Sequence, residues 1–143
     1  MLAVVQDPIR ILQAQGYKAT KPRTLVLEIL EEIETPLSPY EIQGILRQRG
    51  KYLNHVTIYR ILDLFCNLNL AHKMLSSGRF VKCSLDEAEG CHRFMVCQDC
   101  GTIQEFADDG LCQKENEFAQ NLGFRTAHHL SEFSGLCSQC YEG

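Results

Sequence analysis

The chain has 143 residues, 45% of them apolar, enough for one compact unit or two small ones and too many for a disordered polypeptide. Its net charge of −4, taken whole, argues against a polyanionic partner. The distribution reverses that reading: residues 1–82 carry 11 Lys/Arg against 7 Asp/Glu, and residues 83–143 carry 3 against 11, so a basic half that suits a polyanion is joined to an acidic half that does not.

In chain order, the opening MLAVVQDPIRIL has no basic leader and meets Asp7 and Pro8 early, so no secretory signal is expected there. Ile9, Leu12 and Ala14 predict a short first helix before Gly16. Val26, Ile29, Leu30 and Ile33 recur at the spacing of one buried helix face, with Thr20 as a candidate cap and Pro22 in the first turn. Ser38 and Glu41 have capping-box spacing, and Ile42, Ile45 and Leu46 supply the apolar stripe of a third helix that Gly50 ends. Asn54 is placed to cap a fourth helix, with Ile58, Ile61, Leu62, Phe65 and Leu68 on one face. Val56, Thr57, Arg60 and Asp63 point away from that face, Tyr59 lies at its edge, and Cys66 reads as a core thiol.

AHKML, SSG and RFVKC (71–83) then predict a β-hairpin. Helices followed by a hairpin is the order of a winged-helix unit, and also of a plain helical domain with an appended hairpin. The polar, acidic SLDEAEG (84–90) reads as a hinge. Beyond it, FMVC and TIQEF are expected strands, Leu111, Glu115, Phe118 and Leu122 outline a helix ended by Gly123, and FRTAHHLSEF (124–133) is an expected last strand.

The strongest signal is a pair of motifs, Cys97-Gln98-Asp99-Cys100-Gly101 and Cys137-Ser138-Gln139-Cys140. Two residues between cysteines let both sulfurs reach one tetrahedral ion, and Gly101 supplies freedom for the tight turn. Together they make a closed four-thiolate zinc shell that ties the last strand to the first. The rivals are two disulfides or a redox CxxC, which the expected cytoplasmic location and the missing βαβ context disfavour. No H-E-x-x-H and no phosphate-binding Gly-rich loop is present, so the chain is not expected to be an enzyme.

With these pieces placed, the chain resembles the ferric uptake regulator (Fur) family over nearly its whole length. TKPR (20–23) stands where the family has T-x-x-R, HVTIYRIL (55–62) matches its T-[IV]-Y-R recognition helix, and CxxCG…CxxC matches its zinc framework. AHKML (71–75), VKC (81–83) and LGF…GLCSQC (122–140) are similar to the zinc uptake regulator (Zur) branch. The H-x-H segment of the iron and peroxide branches is here Cys91-His92-Arg93-Phe94, half of it missing.

The resemblance implies an α+β protein with three parts: a winged-helix DNA-binding domain (1–84), a hinge (85–91) and an α/β dimerisation and metal-binding domain (92–143). It implies a cytoplasmic homodimer on a palindromic operator in double-stranded DNA, with no membrane partner and with zinc as both structural and regulatory ion. The iron- or peroxide-responsive branches remain the alternative. It places a sensor metal at His72, Cys83, His92 and Glu105, with Cys91 as a substitute for His92. A second family site corresponds to Cys91, Arg93, Cys112 and His129. Arg93 cannot ligate, which leaves three alternatives for Cys91, Cys112 and His129: a metal site with His128 as a candidate fourth ligand, a regulatory Cys91–Cys112 disulfide, or no role. Arg60 and Tyr40 are implicated in base contact, with helix-cap packing as the lesser alternative for Tyr40. Thr57 and Tyr59 share the outward face with Arg60, and Lys21, Arg23, Lys51, Lys73 and Arg79 are candidate phosphate contacts. Where some relatives join dimers through an Asp–Arg pair, this chain has Arg47 but Gly44 at the acidic position.

Overall fold

The computed structural model describes residues 7–83, 92–126 and 130–142. It divides into two compact units, Met1–Asp86 and Glu87–Gly143. The first holds α1 (Pro8–Ala14), α2 (Lys21–Glu32), α3 (Pro39–Gln48), α4 (His55–Asn67), β1 (Ala71–Lys73) and β2 (Phe80–Lys82). The second holds β3 (His92–Cys97), β4 (Ile103–Phe106), α5 (Asp109–Asn121), β5 (Leu130–Gly135) and α6 (Ser138–Tyr141).

In the first unit, local chemistry starts each helix. Asp7 Oδ1 accepts from the Ile9 N–H at 3.0 Å, ahead of Pro8. Ser38 and Glu41 form the reciprocal capping box, each bond 3.1 Å. Asn54 Oδ1 accepts from the Val56 N–H at 2.7 Å and starts α4. Thr20 holds the cap position of α2 without a side-chain cap bond; the Thr24 hydroxyl donates to its carbonyl instead.

The apolar stripes then meet. Val26, Ile29 and Leu30 of α2, Ile42 and Leu46 of α3, and Ile58, Ile61, Leu62 and Phe65 of α4 form one buried cluster with Leu12, Leu37, Leu70, Ala71 and Phe80. Burying the α4 face fixes which side of that helix remains outside. Cys66 is half-buried at the edge of the cluster, and burial pushes its thiol up to about 11, which disfavours the thiolate.

β1 and β2 pair antiparallel with His72 opposite Val81. Leu37 adds a bridge to Phe80, with N–H···O bonds of 2.9 and 2.8 Å, so the segment before α3 is laced to the hairpin.

The second unit is a three-stranded sheet in the order β4-β3-β5. β3 and β4 are antiparallel, while β3 and β5 run parallel with Cys97 opposite Gly135. The last strand begins at Leu130, not Phe124, and a short helix α6, unannounced by periodicity, carries the final cysteine. Phe124, Arg125 and Thr126 lie outside any strand, because Gly123, at φ +75°, ends α5 in a tight turn in which the Phe124 N–H bonds the Ala119 carbonyl at 2.8 Å.

No residue of α5 is buried, and Leu111, Phe118 and Leu122 are exposed, so its predicted apolar stripe finds no cover within the described chain. No described helix is long and apolar enough to cross a membrane.

Phe65 is fully buried where α4 meets the rest of the cluster. Phe65→Ala is expected to destabilise the first unit by about 3–5 kcal/mol. Denaturant melts should show this while metal bound to the four cysteines is retained.

Candidate metal centres and nucleic-acid face

The second unit brings Cys97, Cys100, Cys137 and Cys140 together, with all four sulfurs within 4.8 Å of one another. β3 delivers Cys97, the turn after it delivers Cys100, and parallel pairing sets the end of β5 beside them, so Cys137 at the cap of α6 and Cys140 on that helix complete the set. All four are free thiols. The Cys100–Cys137 separation is 3.7 Å, whereas a disulfide needs about 2.05 Å. Four sulfurs each about 2.3 Å from a tetrahedral zinc lie about 3.8 Å apart, so the spacing fits that ion.

The surrounding polar groups favour thiolates. The Cys137 N–H donates to Cys97 Sγ at 3.4 Å. Backbone N–H groups, Cys100's first, then Cys137's, lower the Cys97 thiol to about 6. The Thr102 hydroxyl, 3.1 Å from Cys100 Sγ, lowers the Cys100 thiol. Cys140 is pushed up to about 12, chiefly by hydrogen bonding to Cys137 and then Cys97, with the charge of Cys100 adding a smaller part, so the four sulfurs do not all carry charge easily together. A divalent cation resolves that conflict.

The remaining predicted ligands form one pair in each unit. In the first unit, the β1–β2 register sets Cys83 diagonally across from His72 on the same face of the hairpin. The Cys83 N–H bonds the Leu70 carbonyl at 2.9 Å, and its sulfur lies within 4.8 Å of a His72 ring nitrogen. In the second unit, Glu105 pairs with Phe94 and therefore shares a face with His92. His92 Nδ1 and Glu105 Oε2 are 2.7 Å apart. Each pair is assembled by antiparallel register, which no motif in the sequence announces.

Cys91 and His129, with His128, lie outside the described residues. Cys112, near the start of α5, is disulfide-bonded. Arg93 is buried on β3, and its guanidinium bonds the Glu115 carboxylate of α5 and, at 3.3 Å, the Ser131 hydroxyl of β5.

On the first unit, Thr57, Tyr59 and Arg60 all lie on the exposed face of α4. Tyr40 is 64% exposed and stacks on His55 with ring centroids 4.6 Å apart and planes at 24°. The stack joins the starts of α3 and α4, and sequence reasoning gave His55 no such place. Tyr59 packs edge-on against Phe80 at 6.2 Å, and Lys73 Nζ sits 5.8 Å from the Tyr59 ring, so the hairpin is continuous with the exposed face of α4.

The candidate phosphate contacts divide. Lys21, Lys51 and Lys73 are exposed. Arg23 donates to the Lys18 carbonyl at 2.8 Å and lies over Tyr17, which shapes the approach to α2. Arg79 is 3.2 Å from Glu41, so part of its charge is compensated within the unit.

Comparison with known proteins adds to this geometry. The chain matches the model of the ferric uptake regulator family over residues 14–134. It is 27% identical over 134 residues to the zinc uptake regulation protein of Escherichia coli K12, covering 93% of this chain and 78% of that protein. It is 31% identical over 130 residues to the ferric uptake regulation protein of Legionella pneumophila, covering 90% and 95%. Among solved structures, a zinc uptake regulator complexed with zinc and DNA superposes with a TM-score of 0.85 at 27% identity, covering 93% of this chain and 89% of that one.

Removing one sulfur from the four-cysteine cluster breaks a closed shell. Cys140→Ser is expected to lower the tightly held zinc count, read by native mass spectrometry, by one per chain. The thermal transition of the second unit should fall with it.

Proposed function

This chain belongs to the ferric uptake regulator family, and from that premise we propose that it is a zinc-responsive, sequence-specific DNA-binding transcriptional regulator of zinc-homeostasis genes, acting as a homodimer on a palindromic operator. The observation that carries the zinc reading is Cys83. A thiolate beside the His72 imidazole makes a half-site softer than the oxygen- and nitrogen-rich sites suited to Fe(II) or Mn(II). Likeness to a zinc uptake regulator bound to zinc and DNA supports the same choice. Identity to a ferric relative is the higher of the two quoted, so iron is the reading to test against.

In this proposal, His72 and Cys83 hold a sensor zinc together with His92 and Glu105. The ligand set of two nitrogens, one sulfur and one oxygen suits a tetrahedral ion. Because the pairs belong to different units, shared ligation would favour one spacing of the two reading heads of a dimer. Coupling of this kind is typically about 1–3 kcal/mol and reciprocal, so operator DNA tightens sensor zinc by the factor by which zinc tightens DNA. The four-cysteine ion has no open position and plays a structural part, and no catalytic role is assigned to any residue.

Thr57, Tyr59 and Arg60 would face the major groove. Arg60 would read guanine, with Tyr40 held for base contact by its stack on His55. Exposed Met95, Phe133, Phe118 and Leu122 supply apolar surface for the second copy. Being bonded in this structure, Cys112 favours the redox role over the metal role at the second family position.

Cys83→Ala is expected to abolish zinc-dependent operator binding while leaving a folded dimer that retains the four-cysteine zinc. An unchanged zinc response in a gel-shift titration would overturn the sensor assignment, and rescue of the wild type by Fe(II) but not zinc would transfer the protein to the iron branch. Arg60→Ala should cost about 1–3 kcal/mol on the operator and little on random DNA. Equal loss on both, measured by fluorescence anisotropy, would reduce Arg60 to a phosphate contact.

A further inference from the structure

Between the end of α3 and the start of α4 lies a cavity of about 240 Å³ lined by Gln43, Arg47, Lys51, Tyr52, Leu53 and Asn54. Its frame is built in: Gln43 Nε2 donates to the Leu53 carbonyl at 3.0 Å and ties α3 to the segment that leads into α4. Asn54 caps α4, so the positive end of that helix dipole is at the cavity wall. No lining residue is acidic, and two are cations.

Some cations of this unit are ion-paired and others are not. Arg49 lies 2.6 Å from Glu32, Arg79 3.2 Å from Glu41 and Lys82 3.8 Å from Glu31. Among the described residues, neither Arg47 nor Lys51 has an ion-pair partner. Two cations on one concave wall beside a helix N-terminus favour an anion there. An arginine, a lysine and a phenolic hydroxyl match the oxygens of a phosphate group.

The geometry points to a phosphate seat in this cavity, formed by Arg47, Lys51 and Tyr52, that takes a backbone phosphodiester of the operator flanking the bases read by α4. The inference rests on the DNA-binding reading and deepens it. A reading helix in the major groove brings the duplex backbone past its own N-terminal end and past the preceding helix, which is where the cavity lies. It gives Arg47 a role within one protomer's DNA contact, at a position where the Gly44 neighbour offers no carboxylate. The rival explanation is that Arg47 and Lys51 only complement the C-terminal dipole of α3.

The test compares the zinc-loaded wild-type dimer with Arg47→Gln, Lys51→Gln and the charge-conserving Lys51→Arg, titrating operator and random duplexes across a salt series. Each neutralising variant is expected to weaken both duplexes by the same factor and to reduce the slope of log K against log salt by about 1. Lys51→Arg should keep the wild-type slope. Replacing single operator phosphates with neutral methylphosphonates should reveal one flanking phosphate per half-site whose loss weakens the wild type but not Arg47→Gln.

Unchanged slopes in folded variants would overturn the seat while leaving DNA binding intact. Failure of the wild type to bind any duplex would overturn the functional reading and the seat with it. Inorganic phosphate that shifts the NMR signals of Arg47 and Lys51, with no change in DNA salt slope, would assign the cavity to a free anion and overturn the DNA assignment.

Discussion

Four sulfurs held within 4.8 Å of one another are the constraint on which the second unit depends. Among its described residues only Phe94 and Cys97 are buried apolar side chains, while Met95, Phe118, Leu122, Phe124 and Phe133 are exposed. A unit this short, with so little interior, cannot offset its chain entropy by burial alone. A metal staple and a second copy are the usual remedies, and the chain carries the features of both. The parallel β3–β5 pairing serves the staple, because it brings the two cysteine motifs to one end of the sheet.

The first unit follows the opposite rule. Its cluster is continuous from Leu12 to Phe80, so it holds α4 rigidly and leaves Thr57, Tyr59 and Arg60 outside. Rigid presentation matters for base readout, where a misplaced guanidinium loses its bidentate geometry. The surface charges are also sorted. Arg49, Arg79 and Lys82 each lie beside a glutamate, whereas among the described residues Arg47 and Lys51 have no ion-pair partner beside the start of α4. A net negative chain thus keeps a local positive face, which is how an acidic protein addresses a polyanion.

How legible each feature was depended on whether its cause is local. The capping box at Ser38 and Glu41, the Asn54 cap and the α4 stripe act over a few residues, and all three stand as read. The cysteine motifs were legible because CxxC spacing is itself the geometry of the turn. The last strand was less so: aromatic and β-branched character begins at Phe124, but Phe124, Arg125 and Thr126 lie outside the described strand Leu130–Gly135 that pairs with β3. The Leu37–Phe80 bridge, the Tyr40–His55 stack and the Arg93 contacts with Glu115 and Ser131 join positions up to 43 residues apart, and no periodicity encodes them.

By itself the amino-acid sequence determined the helices of the first unit, the outward face of α4, the sorting of charge between halves and the four-cysteine cluster. Each follows from side-chain period, cap chemistry or motif spacing. Family resemblance grouped His72, Cys83, His92 and Glu105, but the tertiary structure decided the register that sets Cys83 diagonally across from His72, the 2.7 Å approach of Glu105 to His92, and the cavity that Arg47 and Lys51 share with the start of α4. Those juxtapositions arise from strand register and helix packing, in which a one-residue slip would turn each side chain to the opposite face.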